Sequence, residues 1–200
     1  MITFYLIRHG EKEAVPFDPP LTQAGVKQAE ATADTLSQIK FHTIIASPKL
    51  RALQTAHIIA QPHHKKVKTD LRLVERMEWE NEETFADFLK EWSKTDMDRK
   101  YRPKKGNSSA EKGANMKKVI DELSSKYQDG NIAFVTHGGS IGDLLRHLFD
   151  EKSLPHEIHP TVKAPYIEIM ECSITKVQRD KDDFKLLKLN DISHLSMPLI

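Results

Sequence analysis

The segment Thr3-Phe4-Tyr5-Leu6-Ile7-Arg8-His9-Gly10-Glu11 places four chemically distinct groups directly after an apolar run. Such a run is typical of a strand that is buried on both faces of a sheet. Ligands of open α/β sheets bind beyond the carboxyl ends of the strands, where Arg8 and His9 would lie. A guanidinium matches two phosphate oxygens, a neutral imidazole can attack phosphorus, and Gly10 allows a ligand or another strand to approach its backbone. The segment therefore indicates a phosphate site at the end of a central strand.

A second apolar strand, predicted over residues 131–135, ends in a similar way, because it runs into Thr136-His137-Gly138. If both strands are parallel and central, their carboxyl ends lie side by side, which brings the imidazoles of His9 and His137 close together. The backbone N–H groups of Gly138-Gly139, at the start of the next helix, would add hydrogen-bond donors for an anion. The two strand ends together predict one shared site.

Arg51 is the second arginine expected at this site. Ser47 is predicted to cap a helix, Pro48 fits its first turn, and Pro62 ends it, so Arg51 lies one turn from the helix start. Two guanidinium groups and two imidazoles around one point would form a pocket for a dianion.

The order of the predicted elements favours an α/β fold, a three-layer α/β/α sandwich with a mostly parallel central sheet. Thr22 is a good N-cap for the first helix, and the polar stretch 94–113 is predicted as a mobile loop. The last two strands form a hairpin. Besides the opening strand, strands are predicted over 42–46, 67–74, 131–135, 167–177 and 184–189, and helices over 26–39, 47–61, 83–92, 114–127 and 141–149. The helix over 83–92 is expected to bury a stripe formed by Phe85, Phe88, Leu89 and Trp92.

Composition narrows the class of protein. The chain has 200 residues, of which 38% are hydrophobic and 30% charged, which suits one soluble domain with a substantial core. The net charge of +1 provides no field that would favour nucleic acid or a membrane surface. Cys172 is the single cysteine, which excludes an internal disulfide framework and a cysteine-rich zinc site. With no basic leader and no bilayer-length apolar run, we expect a cytoplasmic protein.

The chain resembles the histidine phosphatase superfamily, which includes the cofactor-dependent phosphoglycerate mutases. Segments in the same order and spacing carry this resemblance over nearly the whole chain, and together they are far more specific than one Arg-His-Gly triplet. The resemblance implies a phosphoglycerate mutase-like fold, with a single domain over 1–200 and a helical and loop cap inserted at about 76–113. The matching segments are Arg8-His9-Gly10-Glu11, Leu21-Thr22 with Gly25 and Gln28-Ala29, Ser47-Pro48 with Arg51 and Gln54-Thr55-Ala56, Leu73 with Glu75, and Thr136-His137-Gly138.

The resemblance also implies roles for the phosphate site. His9 would be the nucleophile and would form a phosphohistidine, which splits the transfer into two steps. Arg8, Arg51 and His137, with the backbone of Gly138, would hold the phosphoryl oxygens and neutralise the developing charge. Because these groups supply the positive charge, the resemblance implies neither a metal ion nor another cofactor.

Glu75 would be the general acid that protonates the leaving oxygen, and then the base that activates water. Glu78 and Glu80 follow closely in sequence, so the identity of the acid stays open among the three carboxyl groups.

The implied activity is that of a phosphomonoesterase acting on a small phosphorylated metabolite or a phosphoprotein. The first alternative is phosphoglycerate mutase-type transfer, although the compact length and short first loop favour hydrolysis. The second is a binding module that holds a phosphorylated ligand without turnover, which the full set of candidate residues disfavours. The basic stretch 94–105 is interpreted as a solvated loop, with a lid that attracts an anionic substrate as the alternative. The oligomeric state stays open.

Overall fold

A six-stranded sheet forms the centre of the molecule, in the order β3-β2-β4-β1-β7-β8. The structure, a computed structural model, describes residues 1–80, 83–160 and 163–195. The first four strands in this order run parallel to one another, and the last two are antiparallel to their neighbours. The strands are β1 (Ile2–Arg8), β2 (Phe41–Ala46), β3 (Val67–Thr69), β4 (Gly130–Thr136), β7 (Ile174–Asp180) and β8 (Asp183–Asp191), and β5 (Glu157–Ile158) pairs with β6 (Pro165–Tyr166) in a separate small sheet.

Helices cover both faces of the large sheet. They are α1 (Gln23–Leu36), α2 (Leu50–Ala60), α4 (Ser109–Lys126) and α5 (Gly138–Leu148), whereas α3 (Phe85–Met97) lies against β6 of the small sheet. Because side chains alternate along a strand, β1 feeds two separate cores. Phe4 and Leu6 pack with residues of α4 and α5, whereas Tyr5 and Ile7 pack with residues of α1 and α2. This arrangement confirms the predicted three-layer α/β/α sandwich with a mostly parallel sheet.

The register of β1 against β4 aligns the two strand ends that carry histidine. Arg8 lies opposite Thr136 in the parallel ladder, and the backbone N–H of His9 donates to the Thr136 carbonyl at 2.9 Å. The backbone N–H of Ser47, directly after β2, donates to the carbonyl of Val135 at 2.9 Å. Three consecutive strands in the sheet order therefore end at one edge.

Two predicted strand boundaries are wrong. The strand predicted over 67–74 ends at Thr69, since the Asp70 carboxylate accepts the N–H of Arg72 and begins a 3₁₀ turn. The strand predicted over 167–177 begins only at Ile174.

The loop predicted over 94–113 is shorter than expected. Helix α3 continues to Met97, and α4 begins at Ser109 with a capping box between Ser108 and Glu111. Several cations of the basic stretch have acidic partners nearby, such as Lys94 with Glu91 at 2.8 Å. Within the described ranges, no helix has the length and apolarity needed to cross a membrane.

Candidate active site

The aligned strand ends open into a cavity of about 420 Å³. The sequence predicted six site residues on four separate segments, and the fold brings all six to the wall of this cavity. They are Arg8, His9, Arg51, Glu75, His137 and Gly138. Their catalytic roles stay predictions, but their proximity is a property of the structure.

His9 is held in the tautomer that a nucleophile needs. Its Nδ1 lies 2.8 Å from the carbonyl oxygen of Gly10, and a carbonyl can only accept, so Nδ1 carries the proton. Its Nε2 then bears a lone pair and accepts from Nε of Arg51 at 3.3 Å. Burial, reinforced by the charges of Arg8 and Arg51, lowers the pKa of His9 well below its ordinary value. The imidazole is therefore neutral at physiological pH, with Nε2 available for attack.

His137 faces His9 across the cavity wall, with ring centroids 5.2 Å apart. Its Nε2 is hydrogen-bonded to the Ser47 hydroxyl at 2.8 Å, whereas its Nδ1 is buried without a partner among the described residues. Burial, reinforced by the nearby positive charge of Arg51, lowers the pKa of His137 well below its ordinary value. Ser47 thus orients an imidazole, and it does not cap α2, whose N-cap is Lys49.

The two arginines are each anchored by a carboxylate. Arg8 pairs with Glu171 and also donates from Nη1 to the carbonyl of Ile169 at 2.6 Å. Arg51, only 3% exposed, donates from Nη2 to both carboxylate oxygens of Glu78, at 2.9 and 3.1 Å. These pairs leave Nε of Arg8 and Nη1 of Arg51 buried without hydrogen-bond acceptors in the described parts of the chain.

With Nδ1 of His137, three buried nitrogens of the predicted site residues therefore lack hydrogen-bond partners among the described residues, although Nη1 of Arg51 lies 3.6 Å from a carboxylate oxygen of Asp18. A buried polar group without a partner typically costs about 1–3 kcal/mol, which a bound oxyanion would recover. The donor set fits a tetrahedral anion, because guanidinium groups match its oxygens.

Glu75 sits at the N-terminus of α5. Its Oε2 accepts the backbone N–H of Gly139 at 3.0 Å, and its Oε1 accepts the Ser140 hydroxyl and the N–H of Arg76, both at 3.0 Å. The expectation that the Gly139 amide would add a donor for the phosphate is therefore wrong, because Glu75 occupies that amide. Gly138 lies against Arg8, and a Cβ added there would be 3.3 Å from Cδ of Arg8.

The three acidic candidates lie in different surroundings. Glu75 and Glu78 line the cavity, whereas Glu80 pairs with Lys105 at 2.5 Å. Burial raises the pKa of Glu78, although its pairing with Arg51 opposes the shift. Among the residues that the structure describes, no group of three or more His, Cys, Asp or Glu side chains could hold a metal ion.

Gly10 serves a packing role that the sequence did not reveal. We expected a ligand or another strand to approach it, but the neighbour is the first turn of α1. A Cβ on Gly10 would lie 2.5 Å from the carbonyl oxygen of Gly25, which real structures essentially never show. The Gly10 N–H donates to Oγ1 of Thr55 at 3.1 Å, so the loop that follows His9 is fixed from two sides. The signal for this packing in the sequence was the presence of both Gly10 and Gly25 in the segments that carry the family resemblance.

The buried histidines predict that stability falls in acid. In the unfolded chain a histidine binds a proton below about pH 6.5, whereas His9 and His137 stay neutral when folded, so acid favours unfolding. Each contributes up to about 1.4 kcal/mol of unfolding free energy per pH unit below that value. Asp143 has the opposite effect on stability: burial raises its pKa to about 6, so the folded chain holds this proton more tightly than the unfolded chain and acid favours folding.

Comparison with a variant isolates the contribution of one histidine. Urea unfolding between about pH 5 and 7 measures how the free energy of unfolding changes with pH. This free energy should fall less steeply toward acid pH in His9→Gln than in the wild type, and the difference in slope should correspond to about one fewer proton taken up on unfolding. Equal slopes would contradict a neutral, buried His9.

The chain is similar in structure to solved phosphatases and mutases. It matches a mycobacterial glucosyl-3-phosphoglycerate phosphatase in complex with inorganic phosphate with a TM-score of 0.77 and 21% identity, over 97% of this chain and 99% of that one. A mutant phosphoserine phosphatase from Entamoeba histolytica, in complex with phosphoserine, matches with a TM-score of 0.74 and 24% identity, over 98% of this chain and 100% of that one. At these identities the likeness establishes a phosphoglycerate mutase-like fold and no more.

Sequence comparison establishes the family. The chain is 28% identical to the probable phosphoglycerate mutase GpmB of Proteus mirabilis over 214 residues, which cover 98% of this chain and 96% of the relative. The family model of the histidine phosphatase superfamily (branch 1) matches residues 4–192. This match confirms the resemblance carried by the motifs, and the chain belongs to the histidine phosphatase superfamily (branch 1).

Proposed function

We propose that the protein is a phosphomonoesterase that works through a phosphohistidine on His9. The observation that carries the proposal is the state of this side chain. His9 is buried and neutral, its Nδ1 proton is held by Gly10, and its Nε2 lone pair lies beside Arg51. A neutral imidazole with one fixed proton can attack phosphorus without prior deprotonation.

In this mechanism the phosphoryl group is transferred first to His9 and then to water. First, Nε2 of His9 forms a bond to phosphorus as the bond from phosphorus to the leaving oxygen breaks, and Glu75 gives that oxygen its proton. Second, a water molecule attacks phosphorus, the carboxylate of Glu75 takes a proton from this water, and the phosphorus–nitrogen bond breaks. Orthophosphate leaves, and His9 returns to its neutral form.

The remaining site groups stabilise charge during the transfer. Arg8, Arg51 and His137 present the buried nitrogens that lack partners, and these would donate to the phosphoryl oxygens. Positioning and electrostatic stabilisation are most of what a protein contributes to phosphoryl transfer. Glu78 and Glu171 fix the two guanidinium groups, so little reorganisation is needed when substrate binds.

We further propose that the segment of about 76–113, of which residues 81 and 82 lie outside the described part, acts as a cap that selects the substrate. The segment supplies Glu78, Trp79, Phe85 and Trp92 to the cavity wall. Two of the similar solved structures are named as phosphatases of small phosphorylated metabolites, which supports the same substrate class here. A phosphoprotein substrate is the alternative.

An assay of the reaction products distinguishes hydrolysis from mutase-type transfer. The name of the Proteus mirabilis relative, a probable phosphoglycerate mutase, favours the mutase alternative. We expect free orthophosphate from p-nitrophenyl phosphate, and orthophosphate with glycerate from 3-phosphoglycerate. Phosphorus NMR would detect the 2-isomer that a mutase forms, and its formation as the main product would contradict the proposal. Activity should persist in EDTA, because the described side chains supply the positive charge.

A binding module would give a different result. Orthophosphate or vanadate would bind to the protein, but none of these substrates would be turned over.

A further inference from the structure

A row of aromatic side chains forms one wall of the cavity that holds His9. Its members are Trp79, Phe85, Phe88 and Trp92, and they all line that cavity. Consecutive ring centroids are 5.2, 6.1 and 5.7 Å apart, so the row is continuous. We call these four residues the aromatic row.

The aromatic row is not the buried stripe that the spacing of α3 predicted. Phe88 is 9% exposed, but Phe85 is 52% exposed at the mouth of the cavity. A large apolar side chain that stays exposed to water contributes no hydrophobic stabilisation to the folded state, because that stabilisation comes from burial. Phe85 therefore indicates a surface that is covered when a ligand binds.

The facing wall is apolar as well. Phe17 and Val15, in the first loop, line the same cavity and are 52% and 49% exposed. The backbone N–H of Phe17 donates to the carbonyl of Trp79 at 3.0 Å, which ties this loop to the aromatic row. The two segments, about 60 residues apart in the chain, thus form one apolar mouth above the phosphate site.

The charged groups beside the aromatic row neutralise one another. Arg76 donates to Asp143 at 2.7 Å and to Asp96 at 2.6 Å, and its guanidinium lies 3.9 Å from the centre of the Trp92 ring. Arg146 pairs with Asp96 at 3.4 Å. Both arginines therefore have carboxylate partners inside the chain, whereas Nε of Arg76 and Nε and Nη1 of Arg146 are buried without hydrogen-bond acceptors among the described residues.

We propose that the alcohol half of the substrate is aromatic or otherwise bulky and apolar, and that the aromatic row binds it while His9 takes the phosphoryl group. This inference rests on the proposed phosphatase function and names its substrate class. The continuity of the apolar mouth with the phosphate site fixes the occupant as the leaving group of the same substrate. Rings of such a substrate would pack edge-to-face or offset against the row.

The test compares two alkyl phosphates whose leaving groups are similarly basic, phenylethyl phosphate and ethyl phosphate, so their kcat/KM ratio reports on binding of the ring. We expect the wild type to prefer phenylethyl phosphate by at least about 30-fold, since one methylene in an apolar pocket is worth about 10–200-fold. Phe85→Ala should lower the ratio about 5-fold or more, because its loss of kcat/KM falls more heavily on phenylethyl phosphate than on ethyl phosphate.

Leu187→Ala is the matched control, because Leu187 is 43% exposed on β8 at the edge of the sheet, away from the cavity. It should keep the wild-type ratio. Phe85→Leu, which retains apolar volume, should lie between the wild type and Phe85→Ala, and thermal unfolding checks that all variants fold.

Three results would overturn the inference while the proposed function stands. The first is a wild-type ratio near one with both esters hydrolysed, and the second is a folded Phe85→Ala variant with an unchanged ratio. The third is faster hydrolysis of 3-phosphoglycerate than of phenylethyl phosphate. Failure to hydrolyse any phosphate ester would instead be a failure of the proposed function.

Discussion

His9→Ala is expected to abolish turnover, with a loss of at least about 10⁴-fold in kcat, because alanine removes the imidazole nitrogen that would form the covalent intermediate. Nε2 of His9 is positioned by two contacts, Nδ1 to Gly10 and Nε2 to Arg51, and alanine removes the atom that both contacts place. The acid-labile phosphoenzyme should disappear with the activity. Rapid acid-free quenching after mixing with labelled substrate, followed by measurement of protein-bound phosphate, checks this.

His57→Ala is the control for this experiment. His57 lies on α2, the helix that carries Arg51, but its side chain is exposed. The control should keep both turnover and phosphoenzyme. The nucleophile assignment fails if His9→Ala retains substantial activity, or if it still accumulates protein-bound phosphate.

Orthophosphate binding separates the nucleophilic role of His9 from a structural one. In His9→Ala, the guanidinium groups of Arg8 and Arg51 keep their carboxylate partners, so the variant should still bind orthophosphate or vanadate. Loss of activity together with loss of this binding would indicate a collapsed site and not a missing nucleophile.

Glu75→Gln carries the second large effect, and it should depend on the leaving group. We expect a loss of about 10²–10⁴-fold in kcat for an alkyl phosphate, whose leaving oxygen needs a proton, and a much smaller loss for p-nitrophenyl phosphate, whose leaving group departs as an anion. The amide oxygen can still accept the Gly139 N–H, and the NH2 group can donate to the Ser140 hydroxyl, whereas the contact with the Arg76 N–H is lost. Thermal unfolding checks that the start of α5 is preserved.

Glu78→Gln is the matched comparison, since both carboxyl groups line the same cavity. Glu78 is paired with Arg51 by two hydrogen bonds, so its loss should weaken the positioning of that guanidinium and affect both kinds of leaving group alike. The raised pKa of Glu78, which burial causes, is the property that a general acid at neutral pH would also have. If Glu78→Gln, and not Glu75→Gln, shows the dependence on leaving group, Glu78 is the acid.

The sequence was sufficient to predict the layers of the fold and the meeting of His9 with His137. The continuous apolar runs of β1 and β4 are a local pattern, and such runs indicate burial on both faces of a sheet. Parallel neighbours must end at the same edge, so a histidine directly after each strand was enough to place both imidazoles in one site. Arg51 could be predicted in the same way, from a helix start that follows a third strand.

Only the tertiary structure decided which partners these groups have. Nothing in the local pattern of Glu78 shows that it holds Arg51, or that Glu75 takes the Gly139 amide. The spacing of Phe85 and Phe88 on α3 predicted a buried stripe, yet Phe85 lies at the mouth of the cavity because α3 covers the phosphate site instead of the sheet. Hydrophobic periodicity indicates which side chains favour an apolar environment, but not which groups they will contact. That choice depends on which distant segments the folded chain brings together.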